Sequence, residues 1–415
     1  MKILHLAAHM GGGIGSAYTG LGVCGMRHTI VLLEKPIDKA SLAKVEAESF
    51  QIIIQPDLEQ LKHELEKADI VLFNWSHHPA LTKLLVDFPE SPIRSVLWCH
   101  VSGNYFPHIH SDFLRRFDHV LFATPYSLSL AQIQDMGENY INEHFKVVYG
   151  LGDLGKYCNV KLEPKQDRFV IGYVGTLGYS KLHPNFIDFC ASVDIPNVEF
   201  AMVGSPTTKD EILKAAEKKG IADRFVFYGQ VSDVTTALST MNVFGYILNP
   251  QHFGATENAL LEAMAAGLPV VAIDQNVENV IIKNGETGLL VKSPQTYGAA
   301  IKKLHDDNNY SVKLGYFAKK DVLERFNTHD NRNRFKDSCN RLMAQPKRTH
   351  VFRDFFGETP ADWFLSCVNQ DKDCFLENRA QDAGIVFKEK TKGTPAHYHN
   401  YFPEDSLLTR WKESI

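Results

Sequence analysis

The chain has 415 residues, 44% apolar and 22% charged, with 44 basic against 49 acidic side chains and a formal charge of −5. That length exceeds what one hydrophobic core usually serves, so two domains are expected, and the acidic balance argues against a general nucleic-acid binder, which would carry a basic excess. The seven cysteines, at 24, 99, 158, 190, 339, 367 and 374, are odd in number and never spaced C-x-x-C; this sets aside zinc-ribbon and disulfide-framework classes and fits free thiols in a reducing cytosol.

The apolar run ILHLAA that follows Met1 and Lys2 is too short for a signal peptide and reads as a first strand. No stretch reaches the roughly 20 apolar residues of a membrane span, which leaves peripheral contact as the expected mode of any membrane association. KILHLAA, HTIVLLE, QIIIQ, DIVLFNW, RSVLWCH, HVLFAT and FKVVYG read as successive strands. Between them, segments such as 39–49 and 58–67 repeat apolar residues at helical spacing. Strands alternating with helices predict βαβ units and a parallel sheet buried on both faces. This rhythm ends near residues 150–153, a polar stretch at 161–168 reads as a linker, and the rhythm resumes with FVIGYVG, VEFAMVG, RFVFYG, VFGYIL, PVVAID and GLLV.

The expectation is an α/β chain of two Rossmann-like, doubly wound domains, residues 1–160 and 161–345, facing each other across a cleft. Helical patterns close the second domain between 294 and about 344. Residues 346–415 carry Phe352, Phe355, Phe356, Trp363, Phe364, Tyr398, Tyr401, Phe402 and Trp411. That is too aromatic for a disordered tail, so an extension packed back on the N-terminal domain is expected.

Ligands of doubly wound sheets sit beyond the carboxyl ends of strands, and four strand-end segments carry the candidate chemistry. AAHMGGGIGSA (7–17) follows the first strand, and consecutive glycines, Gly12 and Gly13 among them, let the backbone approach a ligand. Ser16 stands where G-x-G-x-x-G would close, so a tight turn fits equally and a dehydrogenase fits poorly. His100 ends RSVLWCH, either as a neutral hydrogen-bond partner for a substrate or as a structural residue. His77, His78, His108 and His110 come with no carboxylate that completes a metal signature, so no metal is expected.

In GYVGTLGYSKLHPNF (172–186) a strand ends at Gly175, and Lys181 in the next loop would place a cation where a departing diphosphate develops charge. The alternative is a merely solvated lysine. In HFGATENALLEAMAAGLPVVAID (252–274) a helix is predicted, with Thr256 as its N-cap and Gly267 at its close. Its first turn, Thr256, Glu257, Asn258 and Ala259, would offer N–H groups to a pyrophosphate. Glu262, about one and a half turns on, would accept hydrogen bonds from a ribose diol. An ordinary capped helix with a solvated Glu is the alternative reading.

This last segment and its continuation NVIIKNGETGLLV (279–291) resemble the family-4 retaining glycosyltransferases of the GT-B fold. The likeness runs from Met1 to about residue 340 and is sharpest between 172 and 291. It implies a cytoplasmic enzyme, at most peripheral at the inner membrane face, which moves a sugar from a nucleoside-diphosphate sugar to a glycan, lipid-linked or small-molecule acceptor. Transfer would proceed with retention and without metal. Lys181, His100 and Glu262 become catalytic candidates. Gly12 and Gly13 would touch the donor phosphates and sugar, as would Gly175 and Thr176, while Gly204 with Ser205 and Gly229 with Gln230 would hold the nucleobase. Asn74, Trp75, Ser102, Gly103, Asn104, Tyr126 and Ser127 would line the acceptor side.

The sequence departs from the family twice. Gly254 stands where the family has a first Glu, eight residues before Glu262, and Thr176 stands where it has an Arg. Glu257 is five residues from Glu262 and would project roughly 140° away on a helix, so it is no simple replacement. A nucleotide-sugar epimerase, a phosphorylase and a non-catalytic scaffold on the same fold are the alternatives. The segment KGTPAHYHNYFP (392–403) is distinctive and receives no role at this level.

Overall fold

The computed structural model describes residues 1–11, 13–36, 39–164, 167–205, 208–231 and 233–415, the side chains of 39–41 aside. Two compact units are present: residues 1–152 with 253–256 and 328–415, and residues 153–252 with 257–327.

In chain order the strands of the first unit are Lys2–Ala7 (β1), Arg27–Leu32 (β2), Gln51–Ile54 (β3), Ile70–Trp75 (β4), Ser95–Cys99 (β5), His119–Phe122 (β6) and Phe145–Val147 (β7). They form one parallel sheet in the order β3-β2-β1-β4-β5-β6-β7. The β-branched and aromatic runs that predicted these strands are buried throughout β4, β5 and β6, as a parallel sheet covered on both faces requires. The predicted segments at 39–49 and 58–67 form the helices Lys39–Ala47 and Leu58–Lys67.

The helix Thr328–Met343 belongs to this first unit. Asn331 pairs with both backbone groups of Tyr149, at 2.8 and 2.9 Å, and Arg332 Nε donates to the Gly20 carbonyl at 2.8 Å. Beyond it, Arg348 pairs antiparallel with Ile93, each N–H donating to the other's carbonyl at 2.9–3.0 Å. The aromatic extension then fills one face of the sheet. Phe352 lies 5.4 Å from Phe73 between ring centroids, Phe106 4.6 Å from Phe387, and Phe364 5.6 Å from Trp411. Full burial of each such ring contributes about 1.5–3 kcal/mol, which is why the segment is ordered as short helices.

The second unit contains Phe169–Val174 (β8), Val198–Val203 (β9), Phe225–Gly229 (β10), Val243–Tyr246 (β11), Val270–Ile273 (β12) and Leu289–Val291 (β13). Its parallel sheet runs β10-β9-β8-β11-β12-β13. Strand β8 is the first of this unit and sits between β9 and β11, so the winding reverses there. That is the switch point at which such sheets bind ligands. The fold class read from the sequence is therefore present: two Rossmann-like parallel-sheet units and a helical, aromatic-rich C-terminal extension. No helix among the described residues is long and apolar enough to cross a membrane.

Candidate active site

Most of the candidate residues lie at strand ends of the second unit, around β8. The glycines that end three neighbouring strands are joined in a row: Gly175 N–H donates to Val203 O, and Gly204 N–H donates to Gly229 O, both at 2.9 Å. A Cβ on Gly204 would lie 1.8 Å from the Gly175 carbonyl oxygen, and its φ is +149°, so only glycine fits. Thr176 and Gln230 are exposed on this rim, and the Thr176 carbonyl accepts from the Tyr173 hydroxyl at 3.0 Å.

The loop after Gly175 is tied to the segment after β11. His183 N–H donates to Ile247 O, Asn249 N–H to Lys181 O, and Asn249 Nδ2 to Tyr179 O, at 2.9–3.1 Å. These bonds fix the Lys181 side chain against Glu257. Lys181 Nζ contacts both carboxylate oxygens, at 2.9 and 2.7 Å, and the Tyr246 hydroxyl donates to one of them. His252 Nδ1 stands 3.7 Å from Glu257, and His252 Nε2 stands 3.0 Å from Glu278, which is fully buried. Burial by itself would raise the Glu257 carboxyl. Lys181 and then His252, with the hydrogen bonds from Lys181 and Tyr246, overcome that and hold it down to about 2. The carboxylate is therefore ionised at any physiological pH, and Lys181 is a cation held in one place rather than a solvated one.

The helix expected after Gly254 spans Asn258–Ala266 and buries Leu260, Leu261, Ala263, Met264, Ala265 and Ala266. Its N-cap is Glu257, in the left-handed conformation (φ 53°, ψ 56°) and without a side-chain cap bond. The expectation that Thr256 caps this helix is corrected. The Thr256 hydroxyl donates to Ala123 O and accepts from Gly150 N–H, each at 3.0 Å, and both partners belong to the first unit, as Thr256 does. The reason is a competing pair of buried backbone groups, which take the hydroxyl in place of the helix N–H groups. Asn258 and Ala259 are half-buried at the helix start. Glu262, also half-buried, hydrogen-bonds the hydroxyl of Tyr157; with burial as the larger cause, this carboxylate raises the phenol far above its ordinary value.

In the first unit, His100 follows β5 directly. Its N–H donates to Trp75 O at 2.9 Å, and its Nε2 stands 3.1 Å from Asn74 Oδ1. Burial pushes the imidazole down to about 3, so it is neutral. His100 and Thr256 meet at Gly150, where an added Cβ would lie 3.3 Å from His100 Nδ1 and 3.4 Å from Thr256 Oγ1. Gly13 opens the helix Gly13–Leu21 and has open space on its Cβ side. Gly12 lies outside the described residues. Three functional-looking residues were missed in the sequence: Tyr246, His252 and Glu278. Tyr246 could have been found, because it is the last residue of a strand flanking the switch point; His252 and Glu278 acquire their meaning only through contacts across the fold.

With this geometry in view, the comparisons with known proteins are specific about one part of the chain. Residues 159–321 match the family model described as "Glycosyl transferases group 1". The capsular polysaccharide biosynthesis glycosyltransferase CapM of Staphylococcus aureus is 30% identical over 184 residues, 41% of this chain and 47% of that protein. The lipopolysaccharide core biosynthesis glycosyltransferase LpsE of Rhizobium meliloti is 26% identical over 167 residues, 40% of this chain and 48% of that protein. The chain thus spans about half the length of the curated relatives it matches. Among solved structures, HepE from Anabaena in complex with UDP superposes with a TM-score of 0.66 at 21% identity, over 82% of this chain and 100% of that one. A glycosyltransferase from Rickettsia africae gives 0.64 at 13% identity, over 82% of this chain and 98% of that one. The fold is GT-B. Residues 159–321, which hold Lys181, Glu257 and Glu262, carry the group 1 glycosyltransferase pattern.

Proposed function

We propose that this GT-B protein is a glycosyltransferase that takes a sugar from a nucleoside-diphosphate sugar and transfers it, with retention and without a metal ion, to a glycan or lipid-linked acceptor. The observation that carries this reading is the pairing of Lys181, in the loop that follows the strand-end Gly175, with Glu257, at the start of the helix that bears Glu262, inside the segment that matches the group 1 glycosyltransferases. Lys181 takes the part that a metal would otherwise take, offsetting charge on the departing diphosphate. Glu257 holds that ammonium in place, and a bound diphosphate shares it. Glu262, oriented by Tyr157, accepts from the ribose hydroxyls.

Among the described residues no side chain at these strand ends is an evident nucleophile, which favours a front-face displacement. The acceptor hydroxyl oxygen bonds to the anomeric carbon as the bond to the diphosphate breaks, and the hydroxyl proton passes to the leaving phosphate oxygen. Uridine diphosphate is the first nucleotide to test, because the HepE structures hold UDP and UDP-glucose. Seven free cysteines support a cytoplasmic setting, with peripheral contact at the membrane face.

The test is nucleotide release from UDP-sugars, which needs no knowledge of the acceptor because slow donor hydrolysis reports on the same site. Glu262→Gln is expected to cut the rate at least tenfold with an unchanged melting temperature, and excess EDTA is expected to leave the wild-type rate intact. Equal rates for wild type and Glu262→Gln would remove Glu262 from the reading; loss of activity with EDTA would overturn metal independence.

A further inference from the structure

The carboxyl ends of β1, β2 and β4 bring His9, Glu34 and His78 together, since these strands are neighbours in the sheet. The C-terminal extension adds His397 and Lys392 from the segment that the sequence left without a role. The rings of His9 and His78 lie 5.4 Å apart between centroids, and those of His78 and His397 lie 4.6 Å apart. Lys392 Nζ sits 5.4 Å from the centroid of Phe253, and Tyr401 stands edge-on to His78 at 5.7 Å. All of these residues belong to the first unit.

The extension is held here by specific bonds. The Tyr398 hydroxyl is 2.9 Å from Thr82 Oγ1 and 3.3 Å from His77 Nδ1. Gly393, at φ +76°, passes so close that a Cβ would lie 2.5 Å from the His77 carbonyl oxygen. His77 itself is a fully buried non-glycine residue at φ +57°, a strained conformation that a surrounding structure must hold in place.

The backbone decides where the imidazole protons are. His9 Nδ1 accepts from Gly11 N–H at 3.0 Å, His78 Nδ1 from Ala80 N–H at 3.2 Å, and His397 Nδ1 from Gly393 N–H at 3.0 Å. A nitrogen that accepts cannot carry the proton, so each ring bears its hydrogen on Nε2. His78 Nε2 faces Glu34 Oε2 at 3.6 Å. Burial, and for His9 and His397 also the nearby Lys392 ammonium, keeps the rings neutral: His9 is lowered, and His397 is held at about 4. The result is a set of oriented neutral donors beside a cation. His9 is half-buried and Lys392 exposed, so the set is open to solvent.

We infer that His9, His397 and Lys392, backed by His78 and Glu34, form a site for an anionic group, a carboxylate or a phosphate, carried by the acceptor. The identification of the ligand as the acceptor rests on the glycosyltransferase reading; the site itself does not. Phe253 and Tyr401 flank the set and give a sugar ring apolar faces to pack on.

The experiment is a titration of protein labelled with 13C-histidine, in which the His9 and His397 ring signals are assigned by substitution. The probes are glucuronate, inorganic phosphate, and glucose as the neutral control. Glucuronate or phosphate is expected to shift both rings saturably, with affinity at least fivefold weaker in Lys392→Ala, compared at equal melting temperature. A response to glucuronate alone assigns the carboxylate, and one to phosphate alone assigns the phosphate. No shift from either anion, an equal shift from glucose, or an undiminished shift in Lys392→Ala overturns the proposal. UDP binding, followed by melting temperature, is expected to be the same in Lys392→Ala and wild type. If UDP does not bind the wild type while the anion response persists, the glycosyltransferase reading fails and the site stands.

Discussion

Glu257→Ala is expected to lower the stability of the second unit by about 3–5 kcal/mol, the range for removing one partner of a buried ion pair. This corresponds to a fall of about 10 °C in its melting temperature. The Lys181 side chain is only 15% exposed and that of Glu257 2%. Without the carboxylate, an ammonium stays largely out of water beside the Tyr246 ring. The left-handed backbone at residue 257 costs on the order of 1 kcal/mol in the wild type, and the ion pair offsets it. The double variant Lys181→Met/Glu257→Leu is expected to recover most of the loss, because it leaves no charge behind. The pair also has a pH signature. A carboxyl held at about 2 in the fold and near 4.5 in the unfolded chain stabilises fully above 4.5, and that contribution is lost as pH falls from 4.5 towards 2. Calorimetry on the two variants checks this, and a change under 2 °C in Glu257→Ala would show that the pair carries no weight.

Acidification from pH 7 to pH 5 is expected to lower the melting temperature of the first unit by about 20 °C. Desolvation holds His28 at about 4 and His77, His100 and His119 at about 3. Each is neutral in the fold but protonates near 6.5 when unfolded. Below pH 6.5 the unfolded chain binds more protons, so stability falls with pH until the folded value is reached. Each histidine of this kind contributes about 1.4 kcal/mol per pH unit to that loss. His5 and His28 sharpen it: their ring nitrogens are 2.8 Å apart, and two protonated rings cannot share that bond. The four tryptophans, Trp75, Trp98, Trp363 and Trp411, all lie buried in the first unit. Tryptophan fluorescence therefore reports the first unit alone. A melting temperature that stays flat down to pH 5 contradicts this account.

What the sequence made legible follows from periodicity and strand ends. The β-branched runs predicted each strand because a parallel sheet buried on both faces leaves little room for another pattern. Lys181 stood out because loops after strands carry the chemistry in doubly wound sheets, and Glu262 because of its place in the helix Asn258–Ala266. The cap was misread because Thr256 has the composition of an N-cap, while its hydroxyl answers to Ala123 and Gly150, more than a hundred residues earlier. Glu257 was rejected as a replacement for the family's first Glu on helical angles, yet it lies outside the helix in a left-handed turn, where those angles do not apply. His397 and Lys392 were visible only as a distinctive motif. Their neighbours, His9 and His78, are more than 300 residues away in the chain, and no local pattern encodes such a meeting.

The most direct test of the central claim is the melting temperature of the purified protein with UDP, GDP, ADP, TDP and CMP in turn, in metal-free buffer. A protein with a nucleotide-sugar donor site gains a few degrees from one nucleoside diphosphate at saturating concentration, and Glu262→Gln loses that gain. No gain from any of the five, in a protein whose wild-type transition is cooperative, contradicts the donor site and leaves the fold without the glycosyltransferase function.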